Sequence, residues 1–157
     1  SNTMEFSFCS VSLHRVLNEI GSAQRINMRE GVELLLDLPG QEVTVYTDSA
    51  RLSQVINNLV NNAIKFTSEG NIRIGYRPAA SGYVNIFVED TGTGMSREVL
   101  EHIFDRFYKG DSFKQGTGLG LSICKTIVKR FEGKIEVTST PGKGTCFTIT
   151  LPLKVEE

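Results

Sequence analysis

Between Asp48 and Phe66 the apolar residues Leu52, Val55, Ile56, Leu59, Val60, Ala63 and Ile64 recur at spacings of three and four. At about 100° per residue they gather on one broad face of a helix, and such a face has to lie against an apolar layer. Asp48 is placed to cap this helix, and the polar, glycine-ended "TSEG" stops it. The flanking segments supply the layer. "VELLLDLPG" and "QEVTVYTD" read as two strands joined by a turn at Pro39-Gly40. "NIRIGYRP" and "YVNIFVED" alternate apolar and polar residues and pair across "AASG", while "KIEVTS" and "TCFTITLPL" form a hairpin around "TPGKG". Pro141-Gly142 suits the two central positions of a type II turn.

Further helices are predicted from Ser12 to Asn27, with Ser12 as cap, after Ser96, and from Leu119 to Phe131, ended by Glu132-Gly133. Helices alternating with strand pairs predict an α+β fold, a mixed sheet with helices on one face.

The long helix also carries four asparagines, Asn57, Asn58, Asn61 and Asn62, although asparagine is a mediocre helix former. Asn58, Asn62 and Lys65 fall within about 60° of one another, away from the apolar face. Amide oxygens are neutral metal ligands or hydrogen-bond acceptors, and lysine is a point charge suited to phosphate. Together they could hold a hydrated Mg²⁺ and the phosphates it bridges. A solvated helix face that happens to use asparagine is the competing reading.

Two glycine segments bear on that choice. "VEDTGTGM" puts Asp90 at a strand end, followed by Gly92 and Gly94. These residues serve an ordinary turn, or they let the backbone approach a flat ligand whose exocyclic amino group Asp90 accepts, as in adenine. "GTGLGLSICKTIV" opens directly into a helix, so Gly116, Gly118 and Gly120 suit a phosphate chain at a helix N-terminus. Neither segment has the spacing of a P-loop or of a Rossmann dinucleotide fingerprint.

The 157 residues make one domain by length, and a net charge of −1 argues against nucleic-acid binding through a basic patch. No apolar run reaches the length of a membrane span. Ser1-Asn2-Thr3 reads as a cleavage remnant, leaving residues 4–157 as the domain. Cys124 and Cys146 fall in apolar runs and read as core residues in a reducing, cytoplasmic setting. His14 and His102 have no cysteine beside them and form no zinc set.

Four ordered blocks, "NNLVNNAIKFT", "DTGTG", "IFDRFYKGD" and "GTGLGLSI", resemble the catalytic and ATP-binding domain of sensor histidine kinases, in the GHKL superfamily. The likeness runs from about Val32 to Leu153. It implies a Bergerat-type two-layer α/β sandwich with a mixed, mostly antiparallel sheet, and ATP held between the asparagine helix and a lid.

By position the resemblance makes Asn62 the Mg²⁺-contacting amide, with Asn58 supporting phosphate and metal. Lys65 then reaches the phosphates and Phe66 borders the nucleotide. Asp90 takes the adenine amino group beside Gly92 and Gly94. Tyr108 and Lys109 flank ribose and phosphates, and Gly116, Thr117, Gly118, Leu119, Gly120 and Leu121 wrap the phosphate chain. Arg106 is assigned to the γ-phosphate or to the substrate domain. Lys109 stands where the family often has arginine, and the lid between Phe107 and Gly116 is short.

ATP-hydrolysing members of the superfamily place a glutamate where Asn58 sits. An amide cannot act as that base, so efficient hydrolysis is not expected. The nucleophile is expected from a separate dimerisation domain carrying an acceptor histidine. Neither His14 nor His102 matches the acceptor motif, so the acceptor domain is expected to lie outside this sequence. The resemblance also implies a response regulator downstream and a cytoplasmic domain, with inner-membrane anchoring of the parent left open, and the chain alone is expected to be monomeric. The alternatives are a nucleotide-gated interaction module without transfer activity and an anti-sigma-type serine kinase.

Overall fold

A computed structural model describes residues 5–106 and 120–154. The order is β1 (Cys9–Ser12), α1 (Leu13–Arg25), β2 (Val32–Asp37), β3 (Thr44–Thr47), α2 (Ser49–Phe66), β4 (Gly70–Ala79) and β5 (Tyr83–Asp90), then α3 (Arg97–His102), α4 (Gly120–Arg130), β6 (Lys134–Thr140) and β7 (Gly144–Pro152). The main sheet has the order β2-β4-β5-β7-β6 and is antiparallel except for the parallel β2–β4 pair. The predicted α+β class and mostly antiparallel mixed sheet are therefore present.

Alternation decides which sheet face is covered. Ile72, Ile74 and Tyr76 of β4, Val84, Ile86 and Val88 of β5, and Phe147, Ile149 and Leu151 of β7 are buried. Their neighbours in β5 and β7 are half-buried on the opposite, helix-free face. Against the buried side lies the stripe of α2, with α1 and α4 flanking it. The core is thus a single apolar layer between helices and sheet.

Both predicted caps, Ser12 and Asp48, are in place, and Ser96 caps α3 as well. Ser12 Oγ accepts from Arg15 N at 3.2 Å, and Ser96 Oγ from Val99 N at 3.3 Å. Asp48 does more, because Oδ1 accepts from Arg51 N at 3.0 Å while Oδ2 accepts from Ser7 N at 2.7 Å. One carboxylate thus caps α2 and ties the segment before β1 to it. Asp48→Ala is expected to lower the unfolding free energy by about 1–2 kcal/mol, read as a lower urea midpoint with an unchanged slope.

Several sequence expectations need correction. β2 and β3 do not pair with each other: β2 joins β4, and β3 pairs with β1 in a separate two-stranded sheet. The Pro39-Gly40 turn thus carries the chain from one sheet to the other. Asp37, at the end of β2, is held by Arg73 and Arg77 of β4. β1 was not foreseen. Cys124 is fully buried, and burial pushes its thiol up to about 11. Cys146, by contrast, is only half-buried, on the helix-free face of β7 beside Thr148. At the end of α4, Glu132 takes the left-handed conformation (φ 63°) that helix-ending glycines usually occupy. Glu132 N bonds the Lys129 carbonyl and Gly133 N the Val128 carbonyl, closing the helix.

Candidate active site

The four asparagines of α2 divide between two edges of the helix. Asn57 and Asn61 face α1, where both Oδ1 atoms accept from Gln24 Nε2, at 2.8 and 3.2 Å. Asn58 faces α4, donating Nδ2 to the Gly120 carbonyl at 3.4 Å and approaching Cys124 Sγ at 3.7 Å. Asn62 is 8% exposed, so it does not belong to a solvated face. Its carboxamide has no hydrogen-bond partner among the described residues. Lys65 is exposed one turn further on, and Phe66 is half-buried.

Across from the helix end lies the turn after β5. The Phe66 carbonyl accepts from Thr93 N at 3.1 Å, which joins the end of α2 to the glycine turn. A side chain at Gly92 would put its Cβ 2.1 Å from that same carbonyl, so only glycine lets the two segments meet. Gly94 packs against the Thr140 carbonyl of the β6–β7 hairpin. Two bonds fasten the turn to this hairpin, from Gly142 N to the Thr93 carbonyl at 2.7 Å and from Met95 N to Ser139 Oγ at 2.8 Å.

Asp90 sits at the base of this wall, 5% exposed. Burial raises its carboxyl pKa above the ordinary value, and N–H groups of Gly92 and Thr145 offset part of that rise. The Gly92 bond to Oδ1 is 2.8 Å long. Near it, Thr67 Oγ1 is buried without a hydrogen-bond partner among the described residues. The same hydroxyl is among the groups that lower the Asp90 pKa, the least of those that act on it. A buried carboxylate beside an orphan hydroxyl is an arrangement suited to a ligand that donates a proton.

Asn58, Asn62, Lys65 and Phe66 thus lie along α2, whose last residues meet the turn of Gly92 and Gly94 after Asp90, and Gly120 stands against Asn58. Leu121 is half-buried in the first turn of α4, and Arg106 is exposed just beyond α3. Tyr108, Lys109, Gly116, Thr117, Gly118 and Leu119 lie outside the described residues. Thr67 was missed, although it directly follows Phe66 in the first quoted block. Ser139 was also missed, because its partner Met95 is 44 residues away.

The histidine kinase-, DNA gyrase B- and HSP90-like ATPase family matches residues 47–155. The chain belongs to this ATPase family. Within it, the adaptive-response sensory kinase SasA of Crocosphaera subtropica is 42% identical over 127 residues, 79% of the chain and 33% of SasA. The chain thus spans about a third of the length of that curated relative. Its fold is that of histidine kinase catalytic domains. The catalytic domain of histidine kinase ThkA superposes with a TM-score of 0.84 at 28% identity, over 96% of the chain and all of ThkA's domain. Full-length ShkA in complex with AMPPNP gives 0.89 at 27% identity, over 99% of the chain and 33% of ShkA.

Proposed function

We propose that the chain binds MgATP in the cleft between α2 and the turn after β5, and presents the γ-phosphoryl group to a histidine on a separate dimerisation domain. The single observation that carries this reading is the buried Asp90 carboxylate beside the orphan Thr67 hydroxyl at the end of the asparagine helix. Asp90 Oδ1 accepts from Gly92 N, and the carboxylate suits an exocyclic amino group as a further donor. Guanine would present a carbonyl oxygen there and be repelled. The AMPPNP complex of ShkA supports a nucleotide of this kind.

The donor set also fits a hard cation shared with phosphates. Asn62, with Asn58 one turn before it, would hold Mg²⁺ through neutral oxygen, and Lys65 would add charge toward the phosphates. Mg²⁺ bound there neutralises phosphate charge. Residue 58 is an amide and takes no proton from water, so α2 can position the phosphates without supplying a base for hydrolysis. We assign Phe66, Gly92 and Gly94 to the adenine side of the cleft. Tyr108, Lys109 and the stretch Gly116–Leu121 are assigned to ribose and phosphates, and Arg106 to the γ-phosphate or the acceptor domain. A response regulator would then receive the phosphoryl group, on the cytoplasmic side where ATP is available.

Calorimetric titration with MgATP, using MgGTP as control, tests the reading. Selective MgATP binding is expected, followed by phosphate transfer to a supplied helical acceptor domain. Equal binding of both nucleotides would remove Asp90 from its role. No binding of either at millimolar concentration would refute the site.

A further inference from the structure

α2 rests on the sheet and its neighbours through Leu52, Val55, Ile56, Leu59, Val60 and Ala63, all buried. The stripe fixes which face of the helix meets the sheet, but aliphatic contacts are non-directional and leave a finer rotation about the axis to be set. That finer rotation matters here, because it aims the amides of Asn58 and Asn62. A directional constraint exists on the other edge. Gln24 of α1 is 6% exposed and donates from one Nε2 to Asn57 Oδ1 at 2.8 Å and to Asn61 Oδ1 at 3.2 Å. Its own Oε1 accepts from Asn27 Nδ2 at 3.0 Å, which orients the carboxamide.

Asn57 and Asn61 directly precede Asn58 and Asn62 in the chain. Two acceptors one turn apart that share one donor group fix the angular setting of the helix between them. We infer that Gln24 is a positioning residue for metal and phosphate binding, acting through Asn57 and Asn61 to set the rotation of α2 and so aim Asn58 and Asn62 into the cleft. The inference rests on the reading of that cleft as an MgATP site. The adenine wall depends on this device less, because β5, the glycine turn and the β6–β7 hairpin hold Asp90 and Gly94, and α2 reaches that wall only at its last residue, through the Phe66 carbonyl.

The test compares two ligands. Gln24→Met keeps the volume and removes both donors, and the half-buried Asn57 and exposed Asn61 can turn to water. The variant and the unmodified chain are each titrated with MgATP and with adenosine, which reaches only the adenine wall. MgATP affinity is expected to fall about threefold to tenfold, from about 1 kcal/mol of lost hydrogen bonding, with a clearly smaller change in adenosine affinity. Asn61→Ala, at an exposed position with little folding hazard, is expected to give the same split at about twofold. Unchanged MgATP affinity in both variants, or equal losses for the two ligands, would overturn the positioning role. An unmodified chain that binds neither ligand would refute the MgATP reading itself, and the role with it.

Discussion

Asn62→Ala is expected to weaken MgATP binding by at least about a hundredfold and to leave the fold intact. Asn62 has no hydrogen-bond partner among the described residues, so removing its carboxamide strands no donor or acceptor inside the protein. Alanine is also the better helix former, by about 0.5 kcal/mol. What disappears is a neutral oxygen held rigidly on α2. The signature lies in the metal dependence: the unmodified chain should bind ATP far more tightly with Mg²⁺ than with a chelator present, and the variant should show almost no difference. Equal MgATP affinity in variant and parent would take Asn62 out of the site.

Asp90→Asn should separate binding from stability. Asp90 Oδ1 already accepts from Gly92 N at 2.8 Å, so the new amide keeps that bond and turns its NH₂ toward the cleft. Two donors then oppose each other where adenine's amino group should dock. ATP affinity is expected to fall about 10- to 100-fold, from about 1–3 kcal/mol for unpaired polar groups. The preference over GTP should shrink or reverse, because guanine's carbonyl now meets a donor. Stability should move the other way.

Burial holds the native Asp90 pKa above its unfolded value. Between the two values the folded chain keeps a proton that the unfolded chain has released. The unfolding free energy therefore falls as pH rises through that window, and the loss persists above it. The asparagine has no such proton, so the variant should melt at an equal or higher temperature at neutral pH, with a flatter profile across the acid range. A lower melting temperature at neutral pH, with ATP selectivity retained, would contradict both halves of the argument.

Much of the scaffold was legible because its signals are local. Ser12, Asp48 and Ser96 sit immediately before apolar stripes, and each caps its helix. The alternation in "YVNIFVED" placed β5 and its buried face correctly. What escaped depends on partners far apart in sequence. The segment "CSVS" is too short and too polar to announce a strand, and β1 exists because β3 offers it an edge. β2 and β3 looked like strands joined by a turn, yet each finds its partner elsewhere, with Arg73 and Arg77 gripping Asp37 from β4.

The site shows the same division. The spacing of Asn58, Asn62 and Lys65 put them on one helix edge, and Asp90 was expected at the strand end where it lies. The spacing did not reveal that Asn57 and Asn61 are taken by Gln24, which lies 33 and 37 residues away. Nor did it show that Asn62 is buried, since burial of a polar helix edge depends on its neighbours and not on its period. Thr67 looked like a helix stop and turned out to be a buried hydroxyl beside Asp90.

The strand order β2-β4-β5-β7-β6 has a consequence for how the site comes into being. β5 carries Asp90 and lies at the sheet's centre, yet one of its two neighbours is β7, where Thr145 stands opposite Asp90. A nascent chain that has emerged only as far as α4 has α2, the glycine turn and Asp90, but one whole side of β5 still faces water. The carboxylate can be desolvated only after the last hairpin has been synthesised and zipped onto β5, a long-range pairing of the slow kind. The wall that recognises the base is therefore among the last features to mature, well after the helix that bears the asparagines can form.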